Sequence, residues 1–451
     1  MKLAIIGGGG VRTPRLIPAL IARAERMGLR DVVLMDNDAE KLALIGGLCV
    51  ELARGAAFRI TLTSDAQAAI DGAQHVITAI RPGLEAGRAA DERLCFEHGI
   101  LGQETTGAAG FAMAMRSIPA ILDYARMVKA IGAPGAWLYN FTNPAGLVAQ
   151  ALHDSGIARV IGICDSANGA QSAVARFLGI PAARVHHTVY GLNHLSWTTR
   201  VRVETDADGA GGEDVFPALL SDPHFIDSTH MSLFAPGLVA WQGAFLNEYL
   251  HYFYHRDEAL SALLKKPETR GEDTRRLTSR LLASLRASQD DPVACLAAYR
   301  EVMDERTRTY MAHARAEQSV PTGDDEEGYA SVALGCVEAI QNNARHYTGL
   351  NVPNHGAISG MADDDVVEVG CWVDARGVIP EPVGVIREDQ LLLMRAVKAY
   401  ERAAARGILT RDRALAVQAL TLHPLIGSYP LAEKLVSGFI SLHAPLIGDW
   451  H

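Results

Sequence analysis

The 451-residue chain is too long for one ordinary core, so two domains, or one domain with a large second lobe, are expected. Apolar residues make up 49% and charged residues 21%, which fits a globular protein, and a formal charge of -10 without a Lys/Arg block speaks against nucleic acid or an anionic membrane as a partner. No apolar run approaches the ~20 residues needed to span a bilayer, and six scattered cysteines without a CxxC pair fit a reducing cytoplasm.

The chain opens on Leu3–Ile6, a buried-strand pattern rather than a signal peptide. Gly7-Gly8-Gly9-Gly10 follows, then a helix starting near Thr13-Pro14 with Leu16, Ile17, Leu20 and Ile21 at helical spacing. Val32–Met35 is predicted as the second strand and ends at Asp36. Ile60–Thr63, Val76–Ile80, Trp137–Phe141 and Val160–Ile163 are further predicted strands, with helical stretches such as Ile118–Ile131 between them. This alternation predicts a Rossmann-type, doubly wound parallel sheet over residues 1–190. Beyond Tyr190 the texture changes. Thr199–Glu204 reads as a strand and Asp206–Glu213 as a Gly/Asp-rich turn. Helical patterns then dominate, at Asp257–Leu264, Thr274–Ser288, Glu326–Gln341, Gln390–Arg406 and Arg411–Leu422, with Val366–Val373 as a late strand. Residues 191–451 are therefore expected to form a C-terminal α+β, mostly helical domain that completes the metal and substrate site.

The glycine run lies between a strand and a helix whose first turn holds Pro14, where a missing N–H costs nothing. Such a turn admits a pyrophosphate close to the backbone, and the helix start offers unpaired N–H groups and a positive dipole end. Gly7, Gly8, Gly9, Gly10, Val11 and Arg12 are the candidate cofactor contacts. Asp36, ending the second strand, is placed to bond the adenosine ribose hydroxyls and to favour NAD over NADP. The third glycine of GxGxxG is missing, with Arg12 or Thr13 in its place, so a tight turn in a non-binding α/β domain is the competing reading.

Cys164 and Asp165 end one predicted strand, and Asn140-Phe141-Thr142-Asn143-Pro144 ends another on the same edge, where open α/β sheets bind ligands. His194 follows in Gly191-Leu192-Asn193-His194-Leu195-Ser196-Trp197. A thiolate with an imidazole suits a divalent transition metal with open positions for substrate oxygens. The competing reading is an inert core cysteine and a structural histidine.

These stretches bring a family into view. GGGGVRTPRLI at the start, LMDND at Asp36, RAADE at Arg88 and GQETTGAAG at Gln103–Gly110 resemble glycoside hydrolase family 4, closest to its 6-phospho-β-glucosidase-like branch. So do NFTNPAG at Asn140–Gly146, GICDS at Cys164, GLNHLSW at His194, NEYLHYFY around Tyr249, TRGE at Arg270 and VPNHGAI at Val352. The resemblance implies an NAD- and divalent-metal-dependent glycosidase, typically using manganese, that works by oxidation at C3, deprotonation at C2, elimination, hydration and re-reduction, an exception to the two-carboxylate rule. It implies Cys164 and His194 as metal ligands, Tyr249 as base, Asp165 as acid, and Arg88, Asn143 and Arg270 as substrate contacts. The expected partner is a small-molecule glycoside, with or without a phosphate, and the chain is expected to be a cytoplasmic homodimer or homotetramer.

Residue 165 separates branches of the family. Asn follows the metal cysteine in β-specific phosphoglucosidases, and Asp, as here, in α-specific ones. The alternatives are therefore an α-glycosidase or 6-phospho-α-glucosidase of the same family, or an NAD-dependent 2-hydroxy acid dehydrogenase sharing the N-terminal fold.

Overall fold

The computed structural model describes residues 1–203, 212–311 and 328–451. Strands β1 (Lys2–Ile6), β2 (Asp31–Met35), β3 (Arg59–Thr63), β4 (His75–Thr78), β5 (Trp137–Asn140) and β6 (Val160–Gly162) lie parallel in the order 3-2-1-4-5-6. This is the Rossmann order expected from the alternating pattern. β1, β4 and β6 are almost wholly buried, because helices cover both faces of a parallel sheet.

The sheet does not stop at the parallel half. β7 (Val185–Leu192) and β8 (Leu195–Val203) form a hairpin, and β9 (Phe245–Leu246), β10 (His346–Pro353), β11 (Val366–Asp374) and β12 (Gly377–Pro380) follow. β10 pairs antiparallel with β6 through Asn351 and Gly162, so the described residues hold one twelve-stranded sheet that runs across residue 190. A Cβ on Gly162 would lie 2.8 Å from the Asn351 side chain, so a glycine is what lets the two halves of the sheet meet.

All six strands expected in the first half are present. The helix expected at Ile118–Ile131 instead starts at Gly107, because residues 107–118 are, apart from Arg116, small or apolar and all are buried, leaving no amphipathic stripe to read. The helix expected at Thr274 starts at Arg270, behind a capping box in which Thr269 Oγ1 accepts from Glu272 N and Glu272 accepts from Thr269 N. The expected turn over residues 206–213 lies, as far as residue 211, outside the described residues, as do Glu204 and the first two residues of the helix expected at Glu326. Two long helices were not expected, Pro292–Thr309 and Tyr429–Ile447.

Helix Tyr429–Ile447 matters to the site. It buries Ala432, Leu435, Val436, Phe439, His443 and Ile447 along one face. His443 Nε2 sits 2.5 Å from Asp91 Oδ1, and Asp91 also binds Arg116, all three being buried. Arg116 Nε donates to Pro82 O, so this helix is tied to the loop after β4.

Candidate active site

The glycine turn is shaped by the protein's own backbone. Gly7 N and Gly8 N both donate to Met35 O, at 2.8 and 2.7 Å, which folds the chain sharply across the end of β2. Gly7 has φ +94°, and a Cβ there would lie 2.4 Å from Ala79 O. Cβ atoms on Gly8 and Gly9 would meet Leu34 and the Asp36 carboxylate, at 2.7 and 2.8 Å. Asp36 is held by two N–H groups, Gly9 N on Oδ2 and Asp38 N on Oδ1, both at 3.1 Å. A carboxylate has about four acceptor positions, so those left face hydroxyl donors such as a ribose diol. The turn and Asp36 therefore fit a dinucleotide.

The Cys164 corner is assembled from three segments. β6 leads straight into Cys164. The β7–β8 hairpin closes on Asn193 and His194, with Leu192 paired to Leu195, and His194 takes φ +64°, a conformation that favours glycine or asparagine. Gly146 lets the helix after β5, Ala145–Asp154, pack on this hairpin: its N–H donates to Asn193 Oδ1, and a Cβ would lie 2.8 Å from Asn193 Cβ. Gln103-Glu104-Thr105 supplies the third segment. Thr105 Oγ1 donates to Gln103 Oε1 at 2.8 Å, so it accepts from His194 Nδ1 at 2.6 Å. That fixes the proton on Nδ1 and leaves the Nε2 lone pair pointing at Cys164 Sγ, 3.2 Å away.

This pair fits a metal. Bonds of about 2.3 Å to sulfur and 2.1 Å to nitrogen, meeting near a right angle, place the two donors about 3.1 Å apart. Among the described residues no group of three or more His, Cys, Asp or Glu forms. Two protein donors leave the remaining positions to substrate oxygens or water. Burial, and then Asp165 and Glu368, push the Cys164 thiol well above its usual range, and burial holds His194 near 3, so a cation is what would bring the thiolate form here.

Tyr249 stacks flat on His194, with ring centroids 3.7 Å apart and planes 8° from parallel. Asn247 Oδ1 accepts from Tyr249 N at the start of a short turn of helix, and Tyr310 Oη donates to Tyr249 Oη at 2.8 Å. Burial and the nearby Glu248 raise the Tyr249 phenol well above its usual value, against the Tyr310 hydrogen bond, which lowers it. Behind this corner Glu368 is wholly buried and accepts from Ser196, Asn193 and Asn351; burial pushes it up to about 7.

One cavity of about 650 Å³ joins these parts. Gly7, Gly10, Val11, Arg12 and Asp36 line one end. Gly8 and Gly9 do not line it: their Cα faces are turned onto Leu34 and Asp36. Cys164, Asp165, His194, Tyr249, Arg88, Asn143 and Arg270 line the rest. Asn143 is presented by braced strand ends, where Thr78 Oγ1 donates to Asn140 Oδ1 and Ile80 N to Thr142 Oγ1. Asp165 is half-exposed, 4.0 Å from Arg12. Arg88 is bound to Glu92 and Glu104, both at 2.7 Å, and Arg81 pairs with the same Glu104 at 2.6 Å. Burial would raise the Glu104 carboxyl, but Arg81 and Arg88 outweigh it and hold it near 2. Arg270 binds Asp273, Thr309 and the Arg306 carbonyl. Sequence reasoning missed Arg81, Glu104, Tyr310 and Arg306 as lining residues. Glu104 lay inside the quoted GQETTGAAG stretch, whereas Tyr310 and Arg306 lie in the helix at Pro292–Thr309 and at its end, which no motif marks.

The sequence profile described as family 4 glycosyl hydrolase matches residues 2–180, and that of the family 4 glycosyl hydrolase C-terminal domain matches residues 189–426. The chain belongs to glycosyl hydrolase family 4. Among its family 4 relatives, a probable 6-phospho-beta-glucosidase of Bacillus subtilis is 30% identical over 98% of this chain and 96% of its own length. A phospho-alpha-glucosidase of Clostridium acetobutylicum is 28% identical over 100% and 99%. The fold matches the crystal structure of the 6-phospho-beta glucosidase of Thermotoga maritima with manganese, NAD+ and glucose-6-phosphate, at TM-score 0.82 and 24% identity over 99% of both chains. No described helix is long and apolar enough to cross a membrane.

Proposed function

We propose that this chain hydrolyses 6-phosphorylated glucosides, β-linked ones first, by the oxidation–elimination route of its family. The observation that carries this reading is the meeting, in one cavity, of a dinucleotide turn, a Cys–His donor pair, a tyrosine stacked on that pair and a set of guanidiniums. Residues 1–190 would bind the dinucleotide, and residues 191–451 would complete the metal and substrate site.

When bound, NAD supplies a hydride acceptor for the sugar's C3, and a divalent cation, manganese in the Thermotoga structure, supplies Lewis acidity at the C2 and C3 oxygens. Asp36 and the turn from Gly7 to Arg12 orient the dinucleotide. Cys164 and His194 hold the cation, with Thr105 fixing the imidazole tautomer. Tyr249 Oη takes the C2 proton, and Tyr310 steadies the oxygen that receives it. Asp165 delivers a proton to the departing oxygen. Arg88, Asn143 and Arg270 orient the sugar. A hydride removed and returned in one turnover leaves no net redox change. The chain would act in the cytoplasm as a homodimer or homotetramer; all six cysteines are unpaired thiols, which suits that compartment.

An α-specific reading is favoured by one observation, Asp165 beside the metal cysteine, and by the 28% identical phospho-alpha-glucosidase. The test is a panel of 4-nitrophenyl α- and β-glucosides, with and without a 6-phosphate, assayed with NAD, Mn²⁺ and a thiol reductant. The 6-phospho-β-glucoside should be cleaved fastest, with no NADH accumulating. Cleavage of none, or steady NADH production, would sink the proposal, the second outcome pointing to a dehydrogenase.

A further inference from the structure

Six arginines line the cavity, Arg12, Arg81, Arg88, Arg176, Arg270 and Arg306. Three already have carboxylates in close contact: Arg81 and Arg88 share Glu104, Arg88 also binds Glu92, and Arg270 binds Asp273 at 2.6 Å. Arg12 has Asp165 at 4.0 Å, and Arg176 has a partner as well. Arg306 differs. Among the described residues no carboxylate lies within ion-pair distance of its guanidinium, although its carbonyl accepts from Arg270 Nη2 at 2.9 Å. Loss of water contact, and then the like charges of Arg12, Arg81, Arg270 and Arg88, press Arg306 down to about 9. Glu104 is near enough for Arg306 to help lower it, but that carboxylate is already bound by Arg81 and Arg88, so a crowded cation without a close anion of its own among the described residues is a standing cost that an entering anion relieves.

The helix that carries Arg306 shows where in the cavity it lies. Tyr299 Oη, on the same helix, donates to Val11 O on the glycine turn at 3.0 Å. Arg306 follows seven residues later, two turns and about 10 Å further along the axis. The helix ends at Thr309, and the next residue, Tyr310, touches Tyr249. The charges that bear on the guanidinium are those of Arg12 on the glycine turn and of Arg81, Arg270 and Arg88 beyond it, so it lies between the two ends of the cavity.

We infer that Arg306 is the residue that makes this cavity select a doubly charged phosphoryl group on the sugar. The inference rests on the phosphoglucosidase reading above and adds to it the group that discriminates. A neutral sugar leaves Arg306 crowded by like charges without a close anion of its own. A phosphoryl dianion offers it a two-point hydrogen-bonded fork and neutralises its neighbours as well. Arg88 and Arg270, already engaged with carboxylates, then act mainly to shape the pocket around that group.

The test uses the full chain with NAD and Mn²⁺, and the variants Arg306→Gln and Arg306→Lys. Calorimetry gives Kd for glucose 6-phosphate, glucose and NAD, and thermal unfolding of the cofactor-free protein checks the fold. In Arg306→Gln the Kd for glucose 6-phosphate should rise about 100-fold, since a charge-assisted fork is lost, while Kd for NAD stays within about threefold and Tm does not fall. Arg306→Lys keeps the charge but not the fork, so about a tenfold loss is expected; it carries the test if the Gln variant does not fold. If Arg306→Gln weakens NAD and not glucose 6-phosphate, the guanidinium serves the dinucleotide pyrophosphate and the inference is overturned. It is likewise overturned if neither Kd moves. If the unaltered protein binds glucose as tightly as glucose 6-phosphate, the phosphoglucosidase reading itself fails, a result distinct from the other two.

Discussion

The two ends of the cavity are built in different ways. The glycine turn is a backbone site: main-chain hydrogen bonds to Met35 fix it, and its glycines are required where strands β1, β2 and β4 crowd together. The Cys164 corner is a side-chain site, made by residues from strand ends, a hairpin turn and helix ends that are far apart in sequence and meet only in the folded chain. The first end carries its function in its shape, so function and stability are coupled there. The second carries function in a few exchangeable atoms, so the two separate.

Substitutions can break this contrast. The largest expected effect is at the metal pair. Cys164→Ser and His194→Asn should each lower kcat/KM by about 10³-fold, the scale of several kcal/mol of Lewis-acid stabilisation, yet leave NAD binding and Tm unchanged. Asn suits the φ of +64° at position 194, so that variant should melt no lower than the parent. A drop in Tm at either position would show that the corner is part of the core.

Gly7→Ala should do the opposite. Its Cβ would press on Ala79 O at 2.4 Å from a backbone with φ +94°, so a loss of about 3 kcal/mol is expected, with NAD affinity falling alongside. Unchanged melting would mean that the turn relaxes freely and that its glycines serve only the ligand.

Tyr310→Phe is milder. It removes one hydrogen bond to the Tyr249 oxygen, so kcat should fall about tenfold with KM little changed. An unchanged kcat would remove Tyr310 from the proton-transfer step.

The prediction with the least bearing on catalysis concerns acid stability. Burial holds His75, His187 and His251 near 4 and His423 near 3, so the native state resists protons that the unfolded chain takes up below about 6.5. Stability should therefore fall as pH drops from 6.5 toward 4, by up to about 1 kcal/mol per unit for each histidine. Glu368 works the other way: its raised value means that the fold loses stability as pH rises from about 4.5 to 7. A melting temperature that is flat between pH 6.5 and 4 would contradict the burial of these rings.

How much of this the sequence displays follows from the same contrast. The six parallel strands and the glycine turn are legible because apolar runs, glycines and Pro14 act locally. Cys164, His194 and Tyr249 are legible only through their family motifs, since nothing local marks a lone cysteine and a lone histidine as partners. The reason for GQETTGAAG emerges from the fold: Gln103 and Thr105 set the tautomer of His194, while Glu104 gathers Arg81 and Arg88. TRGE proves to be a capping box whose glycine lets the helix start press against Ala89, where a Cβ would sit 2.6 Å from its nitrogen. Arg306 and Tyr310 were invisible, because their helix has ordinary charged composition and only its path past Val11 brings them to the cavity. β7 and β10 were missed because buried polar residues such as His187 and Asn351 interrupt their apolar pattern.

The central claim is that Tyr249, beside the Cys164–His194 pair, removes the C2 proton of a sugar transiently oxidised at C3. Turnover of 4-nitrophenyl 6-phospho-β-glucoside in D₂O, followed by NMR of the released glucose 6-phosphate, tests it directly. Deuterium at C2 of the product is predicted. Product that keeps its original hydrogen at C2 would contradict the elimination route and leave direct displacement at C1.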